Sequence, residues 1–177
     1  MRLVNYRMFP VELPEDAAKT MRRINVLLSQ RVISGDSKGQ ALTLAASVGD
    51  LEMVKLLLRS DADANFRAAE GRTVLMGAAT EGFFALCGND SRIASYPGNT
   101  EIIQELLNAG VRLDDQDDKG NTALMLATTH GRSASVYLLI KAGANVNLRN
   151  KDGWTALKLA DGKPTIAEML LCADAVK

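Results

Sequence analysis

Gly120-Asn121-Thr122-Ala123-Leu124 returns 33 residues later as Gly153-Trp154-Thr155-Ala156-Leu157, the same phrase of glycine, variable residue, threonine, alanine and leucine. Upstream, Gly71-Arg72-Thr73-Val74-Leu75 precedes Gly120 by 49 residues, which is one period with a 16-residue excess. Earlier still, Leu44-Ala45-Ala46 and Gly49 precede Gly77-Ala78-Ala79 and Gly82 by 33. Val54-Lys55-Leu56-Leu57-Leu58 takes the place of Val136-Tyr137-Leu138-Leu139-Ile140. A fixed period of this length marks a stacked-repeat architecture, in which each unit buries its apolar face only against its neighbours. The spacing predicts a repeat domain over 35–177 with units near 35–67, 68–116, 117–149 and 150–177.

Each unit reads as a turn followed by two antiparallel helices. Glycine supplies the turn, and Thr73, Thr122 and Thr155 stand where a hydroxyl can accept a backbone N–H and start a helix. Small or aliphatic residues follow, such as Ala123, Leu124 and Ala127, and let neighbouring units approach closely. The second helix carries Met53, Val54 and Leu57 in one unit and Val136 and Leu139 in another, at helical spacing. Gly143-Ala144-Asn145-Val146-Asn147 then ends the unit with turn-forming residues. Ahead of the first unit, residues 1–34 are expected to form an extended arm and a capping helix. The helix runs from Glu15 to Val32, with Ala17, Met21, Ile24, Leu28 and Val32 on one stripe.

Asp117-Asp118-Lys119-Gly120-Asn121-Thr122-Ala123-Leu124 and Ala142-Gly143-Ala144-Asn145-Val146-Asn147 together resemble the ankyrin repeat, whose period is 33. The resemblance runs from about residue 35 to the end of the chain. It implies an all-α solenoid of stacked helix-turn-helix units with an N-terminal capping helix. The family's TPLH phrase lacks its proline and histidine here, and Thr43, Met76, Met125 and Lys158 stand where histidine would. That departure implies that some hydrogen bonds between neighbouring turns are missing. Lys38 replaces the expected turn glycine of the first unit, and Pro164 stands where the inter-helix glycine of the last unit usually falls.

The chemistry the sequence carries is sparse. His130 is the single histidine, and no nucleophile, acid and base are spaced as a catalytic set, so no enzymatic activity is expected. Asp114, Asp115, Asp117 and Asp118 lack the ligand alternation and distal glutamate of a calcium loop and read as turn residues. Cys87 and Cys172 are far apart without CxxC spacing, and with one histidine they make no ordinary zinc site. No metal or cofactor is therefore expected. The 177 residues hold 21 basic and 21 acidic side chains, so no net field favours nucleic acid or an anionic membrane. Apolar runs are short, and a soluble, cytoplasmic monomer is the expectation.

A protein partner is what the resemblance implies. In the family, inter-unit turns form fingers and first helices form a palm that contacts partners. By position, the fingers hold Phe66, Arg67, Glu70 and Arg72, then Gln116, Lys119 and Asn121, then Arg149, Lys151, Asp152 and Trp154, while Thr80, Glu81, Thr129 and His130 lie on the palm. Trp154 is the sharpest candidate, because its equivalents are Arg72 and Asn121 and the core therefore needs no aromatic there. Its other reading is local packing on Lys158. The 16 extra residues, 83–98, join the two helices of the second unit and carry Phe83, Phe84, Leu86, Ile93 and Tyr96. Such apolar surface either folds back on the repeat or inserts into a partner, and as a hairpin it would reach at most about 25 Å. The function expected is regulation of one partner by occlusion, with a scaffold joining two proteins as the alternative.

Overall fold

A computed structural model describes residues 35–80 and 97–173. The expected arm and capping helix of 1–34, the palm residue Glu81, the insertion residues Phe83, Phe84, Cys87 and Tyr96, and the last four residues lie outside the described part. Four helix pairs follow one another: α1 (Gly35–Val48) with α2 (Leu51–Arg59), α3 (Val74–Thr80) with α4 (Pro97–Asn108), α5 (Ala123–Thr129) with α6 (Ser133–Lys141), and α7 (Ala156–Leu159) with α8 (Pro164–Cys172). No strand occurs among the described residues, and a lone antiparallel bridge between Arg67 and Thr73 closes the first finger. The all-α fold expected from the repeat is the one observed.

The first helices stack in the order α1, α3, α5, α7 and the second helices in the order α2, α4, α6, α8, so each pair contacts only its neighbours. Composition explains the spacing of the inner row. Every residue of α3 is buried, and its small Gly77, Ala78 and Ala79 allow the close approach. In α5, Ala123, Leu124, Met125, Ala127 and Thr128 are buried. The outer helices are one-sided: α2 buries Met53, Val54 and Leu57, with Glu52 in its first turn and Arg59 in its last, complementing the helix dipole. Asp50 caps it by accepting the Met53 N–H at 3.0 Å.

The threonines cap the inner helices as their positions suggest, accepting the N–H of Met76, Met125 and Lys158 at 3.3 Å in each case. At Thr73 the bond is reciprocal, because the Thr73 N–H donates to the Met76 sulfur at 3.4 Å. Here the thioether takes the role that a longer polar side chain has in a capping box.

Two departures from the repeat acquire physical reasons. Lys38 needs no glycine's freedom, because residue 38 lies inside α1 and not in a turn; its ammonium group donates to Ser60 O at 2.8 Å. The last unit does have an inter-helix glycine, but two residues early: Gly162 (φ +72°) performs the turn of Gly131 (φ +70°). Pro164 then occupies the first turn of α8, where its missing N–H leaves nothing unsatisfied. In the second unit α4 begins at Pro97, so the end of the inserted stretch is already helical.

Neighbouring fingers touch through backbone. Asp118 N–H donates to Glu70 O at 2.9 Å, and one period later Lys151 N–H donates to Lys119 O at 3.0 Å. The glycine beside each contact leaves room for it: a β-carbon on Gly120 would fall 2.8 Å from Lys151 N, whereas one on Gly153 would meet nothing within 4 Å. Both glycines have similar positive φ, +79° and +77°, so substitution strains them equally. We expect Gly120→Ala to destabilise the chain clearly more than Gly153→Ala in parallel urea melts; equal losses would mean that the fingers do not touch. Leu124, 1% exposed, packs at the centre of the stack. Leu124→Ala should lower stability by about 2–5 kcal/mol, and a melt superimposable on the parent would overturn this register.

Candidate partner-binding site

The candidate surface is built from finger tips and the exposed ends of the inner helices. Each finger is a tight turn closed on itself, by Ala68 N–H to Arg72 O at 2.8 Å, Asp117 N–H to Asn121 O at 2.9 Å, and Asn150 N–H to Trp154 O at 3.0 Å. In the second and third fingers a carboxylate or amide braces the turn from within. Asp117 Oδ1 accepts the N–H groups of Lys119 and Asn121 at 2.9 and 2.8 Å. Asn150 Oδ1 does the same for Asp152 and Trp154 at 3.1 and 2.9 Å. These are Asx turns, and Asp117 and Asn150 stand one period apart.

Several residues assigned to the partner on sequence grounds are engaged within the stack. Arg67 Nη2 donates to Gln116 O at 2.7 Å, and Gln116 Nε2 donates onward to Arg149 O at 2.9 Å and to Gly120 O at 2.6 Å. Arg149 turns back to Gly153 O at 2.8 Å. Asn121 Oδ1 accepts from Asn150 Nδ2 at 3.0 Å. The ring of Phe66 lies against Gly39 and is half-buried. With the family's histidine absent, backbone and amide bonds join the turns.

The acidic run has the same internal use. Asp114 accepts the Asn145 N–H at 2.9 Å, as Asn65 accepts that of Arg112 at 2.7 Å, and Asp115 pairs with Arg67 and Arg112 at 3.8 and 3.5 Å.

Other candidates remain on the surface. A recess of about 250 Å³ between the second and third units brings together Arg72, Lys119, Asn121 and His130, with Glu70 and Leu126 beside them. Arg72 Nη2 is held by Thr80 Oγ1 at 3.2 Å, and His130, at the end of α5, donates from Nδ1 to Leu126 O at 2.8 Å. Thr129 is exposed on the same face and donates to Met125 O at 2.9 Å. Lys151 and Trp154 belong to the next finger, and Trp154 is 48% exposed although both its backbone groups are bonded to Asn150. Sequence reasoning passed over Asn150; its signal was the matching Asp117 one period upstream. Among the described residues, no three His, Cys, Asp or Glu side chains gather as a metal site, and no helix is long and apolar enough to cross a membrane.

A row of braced fingers beside short, stacked inner helices defines a repeat protein, and sequence comparison agrees. Residues 91–177 match three copies of the ankyrin repeat and residues 41–69 match a further one. The chain belongs to the ankyrin-repeat family, whose repeats are protein–protein interaction modules and are in general non-catalytic. It is 35% identical over 124 residues to the ankyrin repeat and KH domain-containing protein mask-1 of Caenorhabditis elegans, covering 70% of this chain and 4% of that protein. It is 33% identical over 138 residues to an E3 ubiquitin-protein ligase of Arabidopsis thaliana, covering 76% of this chain and 24% of the ligase. With the Notch-regulated ankyrin repeat-containing protein of Homo sapiens it shares 39% identity over 67 residues, 36% of this chain and 59% of that protein. The chain thus spans a small part of the first two relatives.

Gln116 joins three segments of the finger row through its own amide and carbonyl groups. Gln116→Ala should cost about 1–3 kcal/mol, because it strands acceptors on both Gly120 and Arg149, while Lys119→Ala should stay within about 0.5 kcal/mol of the parent. Thermal melts of the two variants check this contrast.

Proposed function

We propose that this chain binds one partner protein along its concave finger and groove surface, and that it regulates that partner by covering the partner's own functional site. The observation that carries the reading is Trp154, a half-exposed indole on a turn whose backbone is already locked. A large side chain presented without further ordering loses little entropy on binding, which is why such residues dominate interfaces. Arg149 and Lys151 of the same finger, and Arg72, Lys119 and His130 in the recess between the second and third units, are the polar contacts this reading assigns. Glu81, Phe83, Phe84 and Tyr96 extend the surface into the inserted segment. Phe66, Arg67, Gln116 and Asn121 serve the site indirectly, by holding the fingers in position. One continuous surface favours covering a single partner over joining two.

The test is a comparative pull-down from the native host with three baits: the parent chain, Trp154→Ala, and a variant whose residues 83–98 are replaced by one glycine. We expect a protein enriched by the parent to be lost or weakened with either variant. Losing a hot spot of about 2 kcal/mol lowers affinity roughly thirty-fold. Equal recovery by all three baits would place the contact elsewhere. Two captured proteins that bind together without competing would replace occlusion with scaffolding.

A further inference from the structure

Ion pairing is unevenly distributed along the solenoid. In the first two units, three cations are met by carboxylates: Lys55 lies 3.9 and 4.0 Å from Glu52 and Glu105, and Arg67 and Arg112 both reach Asp115, while Lys38 and Arg72 donate to uncharged oxygens. The segment 149–163, which carries the last finger and its inner helix, holds Arg149, Lys151, Lys158 and Lys163 against Asp152 and Asp161, a surplus of two positive charges within the segment. None of these four cations makes an ion pair among the described residues. Arg149 and Lys163 donate to backbone carbonyls instead, which leaves their charge uncompensated. Trp154 lies between Lys151 and Lys158 in this segment and is about half-exposed.

We infer that the partner segment seated on the last finger is acidic and carries a large apolar side chain that packs on Trp154 between Lys151 and Lys158. The inference rests on the concave-surface reading above and names the chemistry of what that surface takes. Carboxylates meeting ammonium groups at the edge of an apolar contact steer the encounter and fix its register. Single-stranded nucleic acid also brings negative charge and flat rings, but the chain as a whole has no net charge and this segment offers one aromatic, where strand binding uses a row of them.

Trp154 is the only tryptophan, so its emission reports on this site alone. The experiment pans a random-peptide display library against the full chain and titrates the enriched peptides while Trp154 fluorescence is followed. An oligothymidylate is titrated in parallel. We expect enriched peptides that place acidic residues around an aromatic or aliphatic anchor, shift Trp154 emission, and bind less tightly as salt rises. Lys151→Glu with Lys158→Glu should weaken them about tenfold or more, whereas the Arg pair at the same positions should retain binding, with circular dichroism showing both variants folded.

Neutral or basic peptides that still shift Trp154 would overturn the acidic partner and leave the concave-surface reading standing. Enriched peptides that leave Trp154 unperturbed, or no enrichment at all, would overturn both. Oligothymidylate binding as tight as that of the peptides would replace the protein partner with a nucleic acid.

Discussion

The structure depends on the contact of one finger's backbone with the next. Asp118 N–H to Glu70 O and Lys151 N–H to Lys119 O are the same bond one period apart, and they require the two turns to come within hydrogen-bonding distance. Only a residue without a β-carbon fits beside such a contact, which is why the turn glycine recurs where a finger follows closely. With the fingers fixed at that distance, the inner helices must be thin, and their alanines, glycines and threonines follow. Large buried side chains come from both rows, Leu42, Leu75 and Leu124 from the inner helices and Leu57, Ile102, Leu106, Leu139 and Leu170 from the outer ones.

The same constraint divides the polar residues of the candidate surface into two sets. Arg67, Gln116, Asn121 and Asn150 use their side chains on neighbouring turns, and Asp117 uses its carboxylate within its own turn. A buried or half-buried turn without those bonds would carry unsatisfied backbone groups, each of which is costly. Among the described residues the side chains of Lys119, Lys151, Lys158 and Trp154 make no such bond; Lys119, Lys151 and Trp154 stand on turns that the first set braces, and Lys158 lies in α7. Braced side chains and unengaged ones thus alternate within a few positions of one another. A rigid turn with an unengaged indole is pre-organised for association, because less freedom is lost when a partner arrives.

The end units deviate in ways that fit their surroundings. The first described unit replaces a turn with a longer helix, and its Lys38 closes the neighbouring helix end. The last shortens its inner helix and shifts its inter-helix glycine by two residues, so α8 starts on a proline.

By itself the sequence determined the period, the fold class, the capping threonines, and the stripes that become the core. These are local or periodic properties, legible because each unit repeats the same solution to burying an apolar face. Trp154 was legible too, because its equivalents are polar. Which polar side chains reach across to a neighbouring turn was decided only by tertiary structure. Arg67 and Gln116 read as solvent-facing finger residues in one dimension, and they become internal braces once units 33 or 49 residues apart lie side by side. The Met76 sulfur standing in for a histidine, and Gly162 taking over a turn expected two residues later, were hidden for the same reason: geometry at a junction depends on both of its sides.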